Sequence, residues 1–204
     1  MLRIYRIPFS TNVERVALAL AYKGIEVEWV DVDADDRTPV RRVSGQDLVP
    51  VLVEGEFVLS DSSRIIDWLD ARYPDPPLYP ADPARRAEVQ VFVDWFNRVW
   101  KRPPNALDAE LSKHQPDEKL VAELAAEIVA SRDVFEALLT GRDFLLGEFG
   151  AADVIAFPFL RFALYHDPDD DERFHAILIE HLALGDGYPN LTAWLERIER
   201  YPRA

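Results

Sequence analysis

The chain has 204 residues, a formal net charge of −14 and no cysteine. Such acidity repels nucleic-acid phosphates and anionic membrane surfaces, and the lack of cysteine excludes disulfides, thiolate metal sites and a cysteine nucleophile. With 49% hydrophobic residues there is enough material for one large or two small cores, but no apolar run reaches the ~18 residues needed to cross a bilayer. The chain starts as a strand without a hydrophobic leader, so a cytoplasmic location is expected.

Residues 2–7 alternate apolar and polar side chains, the mark of a strand, and Pro8-Phe9 ends it. Thr11-Asn12-Val13-Glu14 has the form of a capping box with Thr11 as N-cap, which leaves the Ser10 hydroxyl uncommitted just outside the helix. That helix carries Val13, Val16, Ala17 and Leu20 on one face and stops at Gly24. Ile25 to Val32 alternates again. A charged loop, Asp33 to Pro39, and a short irregular helix then lead to Leu48-Val49-Pro50-Val51-Leu52, the turn Glu54-Gly55-Glu56 and a second short strand. Asp61-Ser62 opens a helix with Ile65, Ile66, Trp68 and Leu69 that closes near Tyr73. The order β-α-β-α-β-β-α implies one parallel pair and one hairpin in a mixed sheet.

The Val49-Pro50 step carries chemistry. Proline has no N–H to donate, so sheet pairing stops there, and an X-Pro bond accommodates the cis form. Such a bend turns the N–H and C=O of Val49 outward to pair with an extended peptide. The helix start at Asp61-Ser62 offers N–H groups and a hydroxyl to a carboxylate, and Asp61 suits an ammonium. An edge that pairs with peptide backbone, next to a site for both charges of an amino acid, describes a receptor for a small peptide.

From Pro74 to Pro83 there are five prolines in ten residues, a stiff linker (76–83) between a first domain (1–75) and a second (84–204). Beyond it the strand pattern vanishes. Helices are expected over 84–102, with Val89, Phe92, Val93, Phe96 and Trp100 on the apolar side, and over 117–139, 144–164, 174–184 and 191–198; the third is apolar on most faces and reads as the buried centre of a bundle. Asp167-x-Asp169-x-Asp171 has the opening spacing of a calcium loop, but Glu172 and Leu178 stand where glycine and the closing acid belong. His114, His166, His175 and His181 lack ligand spacing and are expected on the surface, so no metal site is expected.

These fragments in this order resemble the glutathione transferase family over nearly the whole chain, and are similar to its serine-type, phi- and theta-like bacterial members. Pro8-Phe9-Ser10-Thr11-Asn12-Val13-Glu14-Arg15-Val16 looks like the Ser-Thr-x-x-x-Arg-Val start of their first helix. Val49-Pro50-Val51-Leu52 resembles the cis-proline loop, Asp61-Ser62 the acid-Ser pair, and Leu145-Leu146-Gly147 with Ala152-Asp153-Val154 the segment leading into the buried helix. The resemblance implies a thioredoxin-like first domain, an all-helical second domain and a homodimer. It also implies glutathione as co-substrate and a small hydrophobic electrophile as its partner in conjugation, with isomerase, peroxidase or a non-catalytic binding scaffold as alternatives. On this reading Ser10 hydrogen-bonds the glutathione sulfur; Tyr5 is its rival, although its alternation with Leu2 and Ile4 reads as packing. Val49, beside Pro50, pairs with the cysteinyl backbone, and Ser62 takes the γ-glutamyl carboxylate with Asp61 near the ammonium. Arg37 is the candidate for the glycine carboxylate, with Arg41 and Arg42 nearby. Phe9, Phe96 and Trp100 are candidates for the electrophile pocket. The chain departs from the family where Asp47-Leu48 replaces a Gly-Lys or Gly-Gln pair and where Asp35-Asp36 replaces His-Lys. Gly150 stands where the family places a Ser or Thr cap.

Overall fold

Arg3–Arg6 (β1) is the strand on which the first half of the chain is built. It pairs in parallel with Glu28–Asp31 (β2) on one side and antiparallel with Val51–Glu54 (β3) on the other. Phe57–Ser60 (β4) closes a hairpin on β3, giving the order β2-β1-β3-β4. The computed structural model describes residues 1–204 and falls into two units, Met1–Pro80 with Tyr201–Ala204, and Ala81–Arg200.

Because side chains alternate across a strand, the sheet sorts its residues onto two faces. Ile4, Leu52 and Leu59 meet Val16 and Leu20 of helix Thr11–Lys23 (α1) and Ile65 and Leu69 of helix Ser62–Arg72 (α3). Tyr5, Ile7, Val51 and Val53 point the other way, onto Val40 of helix Thr38–Ser44 (α2).

The N-cap of α1 is Ser10 rather than Thr11. Phe9 turns the chain with a positive φ of 61°, Ser10 is extended, and its Oγ accepts from the Val13 N–H at 3.4 Å. Thr11 becomes the buried first residue of the helix, and no capping box forms, because Glu14 instead pairs with Arg203 at 2.8 Å. That pair, with the Ala204 N–H donating to Ala17 O, ties the last residues of the chain to α1.

At the other end of α1 the Lys23 ammonium is fully buried. It donates to Asp70 Oδ1 at 2.8 Å and to the carbonyls of Tyr73 and Pro76 at 2.7 and 2.8 Å. Asp70 Oδ1 also accepts from the Leu78 N–H, and the Tyr79 hydroxyl donates to Asp67. The proline-rich segment up to Pro80 is therefore bound to α3, with Leu78 and Tyr79 buried. Its Asp75–Pro76 bond is cis, as is Val49–Pro50.

The second unit is all-helical. Helix Pro83–Trp95 (α4) widens into a π turn at Phe96–Trp100, and Arg102–Leu111 forms a helix (α5) that periodicity alone missed. Pro103 and Pro104 lie in the first turn of α5, where a missing N–H removes no bond. Glu118–Leu138 (α6), Ala151–Leu160 (α7), Arg173–Leu182 (α8) and Pro189–Glu199 (α9) follow. All of α7 is buried, but it is shorter than the apolar run suggested. Residues 144–150 form a turn, and the helix tightens into a 3-10 turn at Arg161–Ala163, just past Pro158.

Asp153 fixes that arrangement. Its Oδ1 accepts from Leu145 N–H at 3.0 Å and Trp194 Nε1 at 2.8 Å, and its Oδ2 from Gly150 N–H at 3.1 Å. A carboxylate from inside α7 thus takes the N–H of the cap residue itself, the reciprocal half of a capping box. Burial outweighs these donors and pushes its pKa up to about 6. His175, expected on the surface, is buried instead, stacked on Phe162 and bonded through Nδ1 to Asp170 at 2.7 Å. Amphipathic periodicity puts it on the inward face of α8, and a partner carboxylate satisfies it. In the acidic loop before it, Asp167 closes its own turn by accepting from the Asp169 N–H.

Lys23→Met should lower stability by about 3–5 kcal/mol, because it strands a buried carboxylate and two carbonyls; denaturant unfolding measures this. Asp153 contributes stability that is fully present below its ordinary value of 3.8 and is lost as pH rises through about 6. The stability of the natural chain relative to Asp153→Asn should therefore shrink across that window by up to about 3 kcal/mol, and a difference that grows with pH would contradict the assignment.

Candidate functional site

Two helix N-termini come together at one end of the first unit. Arg15 on α1 bonds Ser62 on α3, and Lys23, eight residues further along α1, bonds Asp70, eight residues further along α3. The matching offsets mean that the helices run parallel, clamped twice about 12 Å apart. Their positive ends therefore lie side by side, a local cationic field within an acidic protein. At that end the Arg15 Nη1 donates to Ser62 Oγ at 3.3 Å and to Asn12 Oδ1 at 3.2 Å, while the Ser62 hydroxyl reaches Asn12 Oδ1 at 3.4 Å. Arg15 is wholly buried. Burial lowers its pKa to about 9 and the charge of Asp61 opposes that shift, so it remains a cation at neutral pH.

Each helix start is capped by the residue before it. Ser10 accepts from Val13 over a long bond, and its O–H remains able to donate outward. Asp61 caps α3 by accepting from Ser63 N–H at 2.9 Å and Arg64 N–H at 3.1 Å. It does so at φ 79° and ψ 120°, a conformation L residues rarely hold outside functional sites. Ser62, next to it, is 4% exposed.

Val49 supplies the third element. The ladder between β3 and β4 begins at Val51–Ser60, so the backbone of Val49 lies outside the sheet pairing. The loop before it is braced by Gln46, whose amide donates to Leu48 O at 2.9 Å and accepts from Leu48 N–H at 2.5 Å, leaving the Leu48 side chain 74% exposed. Arg37 folds back, Nε donating to Ala34 O at 2.7 Å and Nη1 to Asp47 O at 3.5 Å. Arg41 pairs with the Asp47 carboxylate at 2.7 Å, which holds that carboxyl below its usual range. Asp36 closes the start of α2 through the Thr38 N–H.

Of the residues singled out in the sequence, Ser10, Val49, cis-Pro50, Asp61 and Ser62 all belong to this first unit, around the starts of α1 and α3 and the head of β3. Tyr5 packs on the opposite face of the sheet, against the α2 side. Phe9 is 44% exposed beside Ser10. Phe96 and Trp100 belong to the second unit and are 0% and 4% exposed, stacked on each other and edge-on to Phe135 and Phe159 or tilted against them. They form its aromatic core, and their helical spacing served packing. Arg15, Asn12 and Gln46 were not singled out as contributors. The signal for Arg15 was present, since a charged residue flanked by Val13, Val16, Leu18 and Ala19 must find a buried partner.

The glutathione S-transferase N-terminal domain model matches residues 4–77, and the glutathione S-transferase C-terminal domain model matches residues 105–202. Glutathione S-transferase Z1 of Arabidopsis thaliana is 38% identical over 91 residues, 42% of this chain and 41% of that protein, so the match spans about two-fifths of the relative's length. Protein IN2-1 homolog A of Oryza sativa subsp. japonica is 26% identical over 206 residues, 97% of this chain and 76% of that one. The crystal structure of a glutathione S-transferase from Rhodospirillum rubrum F11 superposes with a TM-score of 0.75 at 25% identity, covering 99% of this chain and 89% of that one. With its two halves matched by the two domain models in the right order, the chain belongs to the glutathione S-transferase family.

Proposed function

We propose that the protein is a glutathione transferase that binds glutathione at the paired N-termini of α1 and α3 and transfers it to a small hydrophobic electrophile. The observation that carries this reading is the parallel clamping of the two helices by Arg15 and Lys23, which puts two positive helix ends beside the unpaired Val49 backbone. Glutathione needs two anions stabilised at once, a carboxylate and a thiolate, and such a pair of helix ends suits both.

In this scheme the γ-glutamyl carboxylate accepts from the Ser62 N–H and from the Ser62 hydroxyl, which turns from Asn12 Oδ1 to the ligand. The free carboxylate oxygen of Asp61 faces the ammonium, and Val49 pairs with the cysteinyl backbone as a strand would. The sulfur sits at the start of α1. There the Ser10 hydroxyl and the helix end stabilise the anion, so the thiol loses its proton to solvent more readily. The thiolate then attacks the electrophilic carbon and displaces a leaving group or adds across a double bond. Ser10 acts as a donor throughout and never as a base. The burial of Tyr5 on the far face favours Ser10 as the sulfur's partner. Phe9, exposed beside Ser10, is the apolar surface nearest in sequence to the sulfur.

One observation favours a non-catalytic scaffold as the second reading: the cations beside the Val49 loop are already engaged, Arg41 by Asp47 and Arg37 by backbone carbonyls. Calorimetric titration with glutathione, followed by conjugation assays, separates the two. Ser62→Ala should weaken glutathione binding by roughly tenfold, the loss of a hydrogen bond to a charged group. Ser10→Ala should leave binding within about threefold and lower kcat at neutral pH by roughly 10- to 100-fold, with the loss recovered as pH rises past the pKa of the unassisted thiol. Binding without turnover in the natural chain would favour the scaffold. The resemblance also implies a cytoplasmic homodimer, for which sedimentation should give twice the 23.4 kDa chain mass.

A further inference from the structure

We propose that Asp47 sets the specificity of the far end of the thiol site: by holding Arg41 of α2 it selects co-substrates whose C-terminal group is uncharged or cationic over those ending in a free carboxylate. The inference rests on the glutathione reading above and concerns the end of the peptide that lies away from Ser62.

A tripeptide held at one end by the α3 N-terminus and paired in its middle with Val49 extends about 10 Å. Its remaining end runs past Leu48 toward the loop that joins α2 to β3. The side chains that could meet a carboxylate there are Arg37, Arg41 and Arg42, and the first two are turned onto residue 47. The Arg41 Nε lies 2.7 Å from Asp47 Oδ1, and the Arg37 Nη1 donates to the Asp47 carbonyl while its Nε holds Ala34 O. Asp36, at the start of α2, adds a second negative charge facing Arg41 and Arg42. Arg41 is thus met by two aspartate carboxylates, and Arg37 by two backbone carbonyls. The protein carries its own carboxylate where a ligand's would go.

The Arg41–Asp47 pair is exposed, at 61% and 49%, so it is weak in absolute terms and a ligand can compete with it. What it changes is the difference between ligands. A free carboxylate must displace Asp47 and then sit beside it, whereas an ester, amide or amine-capped end leaves the pair undisturbed, and a cationic cap is attracted by Asp47 and Asp36. Asp47 makes no hydrogen bond to Ser10, Asp61 or Ser62, so its carboxylate acts on the end of the ligand away from them.

Titration calorimetry of the full chain with glutathione and with its glycine ethyl ester tests this directly, in the natural protein and in Asp47→Asn and Asp47→Glu. The natural chain should bind the ester at least as tightly as glutathione. Asp47→Asn should tighten glutathione by roughly three- to fivefold while changing the ester by less than about twofold, and Asp47→Glu should keep the natural selectivity. A natural chain that prefers free glutathione by roughly tenfold, with Asp47→Asn leaving that preference unchanged, overturns the inference and leaves the glutathione reading standing. Heat from neither thiol in any variant overturns both.

Discussion

Two buried cations on one helix organise the first half of this protein. Arg15 near the start of α1 and Lys23 at its end each cross to α3, to Ser62 and to Asp70. Neither contact is a surface ion pair that salt would screen; both heads are out of water, so an unmade bond would carry a full desolvation penalty. That makes the register of the two helices all-or-none. It also explains the division of labour along the clamp. The Lys23 end gathers the carbonyls of Tyr73 and Pro76 and secures the proline-rich segment. The Arg15 end gathers Asn12, the Ser62 hydroxyl and the two capped helix starts at the same place.

The electrostatic consequence answers a question raised by composition. A chain of net charge −14 is a poor host for an anionic tripeptide. Helix dipoles and a buried guanidinium provide a positive potential that does not need a basic surface, and at contact distance their effect exceeds that of charges beyond a Debye length. Asp47 and Asp36 then work against that potential at the α2 side. Charge is therefore graded along the first unit, with the Arg15 guanidinium and two helix ends beside the Asp61 carboxylate at one place and Arg41 met by Asp47 and Asp36 at the other.

Much of this was legible in the sequence because it is local. The Val49-Pro50 step, the Gly55 turn and the Asp61-Ser62 helix start are each set by a few residues whose backbone chemistry leaves little choice, and the mixed sheet follows from their order. What was not legible depends on distant partners. Thr11 and Ser10 are both good caps, and only the fold shows that Glu14 is drawn away by Arg203 and that the cap moves to Ser10. Arg15 and Asp153 have partners on other elements, Ser62 and Trp194, 47 and 41 residues away in the chain, and His175 finds Asp170 in the loop before its helix. The aromatic run from Phe92 to Trp100 has one periodicity for a core and for a pocket wall, and in the fold Phe96 and Trp100 pack against Phe135 and Phe159. Pro103 and Pro104 hid α5 because proline breaks a helix interior and starts a helix equally well.

The central claim is that the paired helix ends activate a thiol. Ultraviolet titration of the thiolate band of glutathione bound to the full chain measures this directly. The account predicts a bound-thiol pKa at least one unit below that of free glutathione, the shift expected for an anion at a helix N-terminus with a hydroxyl donor. A bound thiol that titrates with the same pKa as in solution would contradict it, and would leave the clamped helices as a binding site with no part in the chemistry.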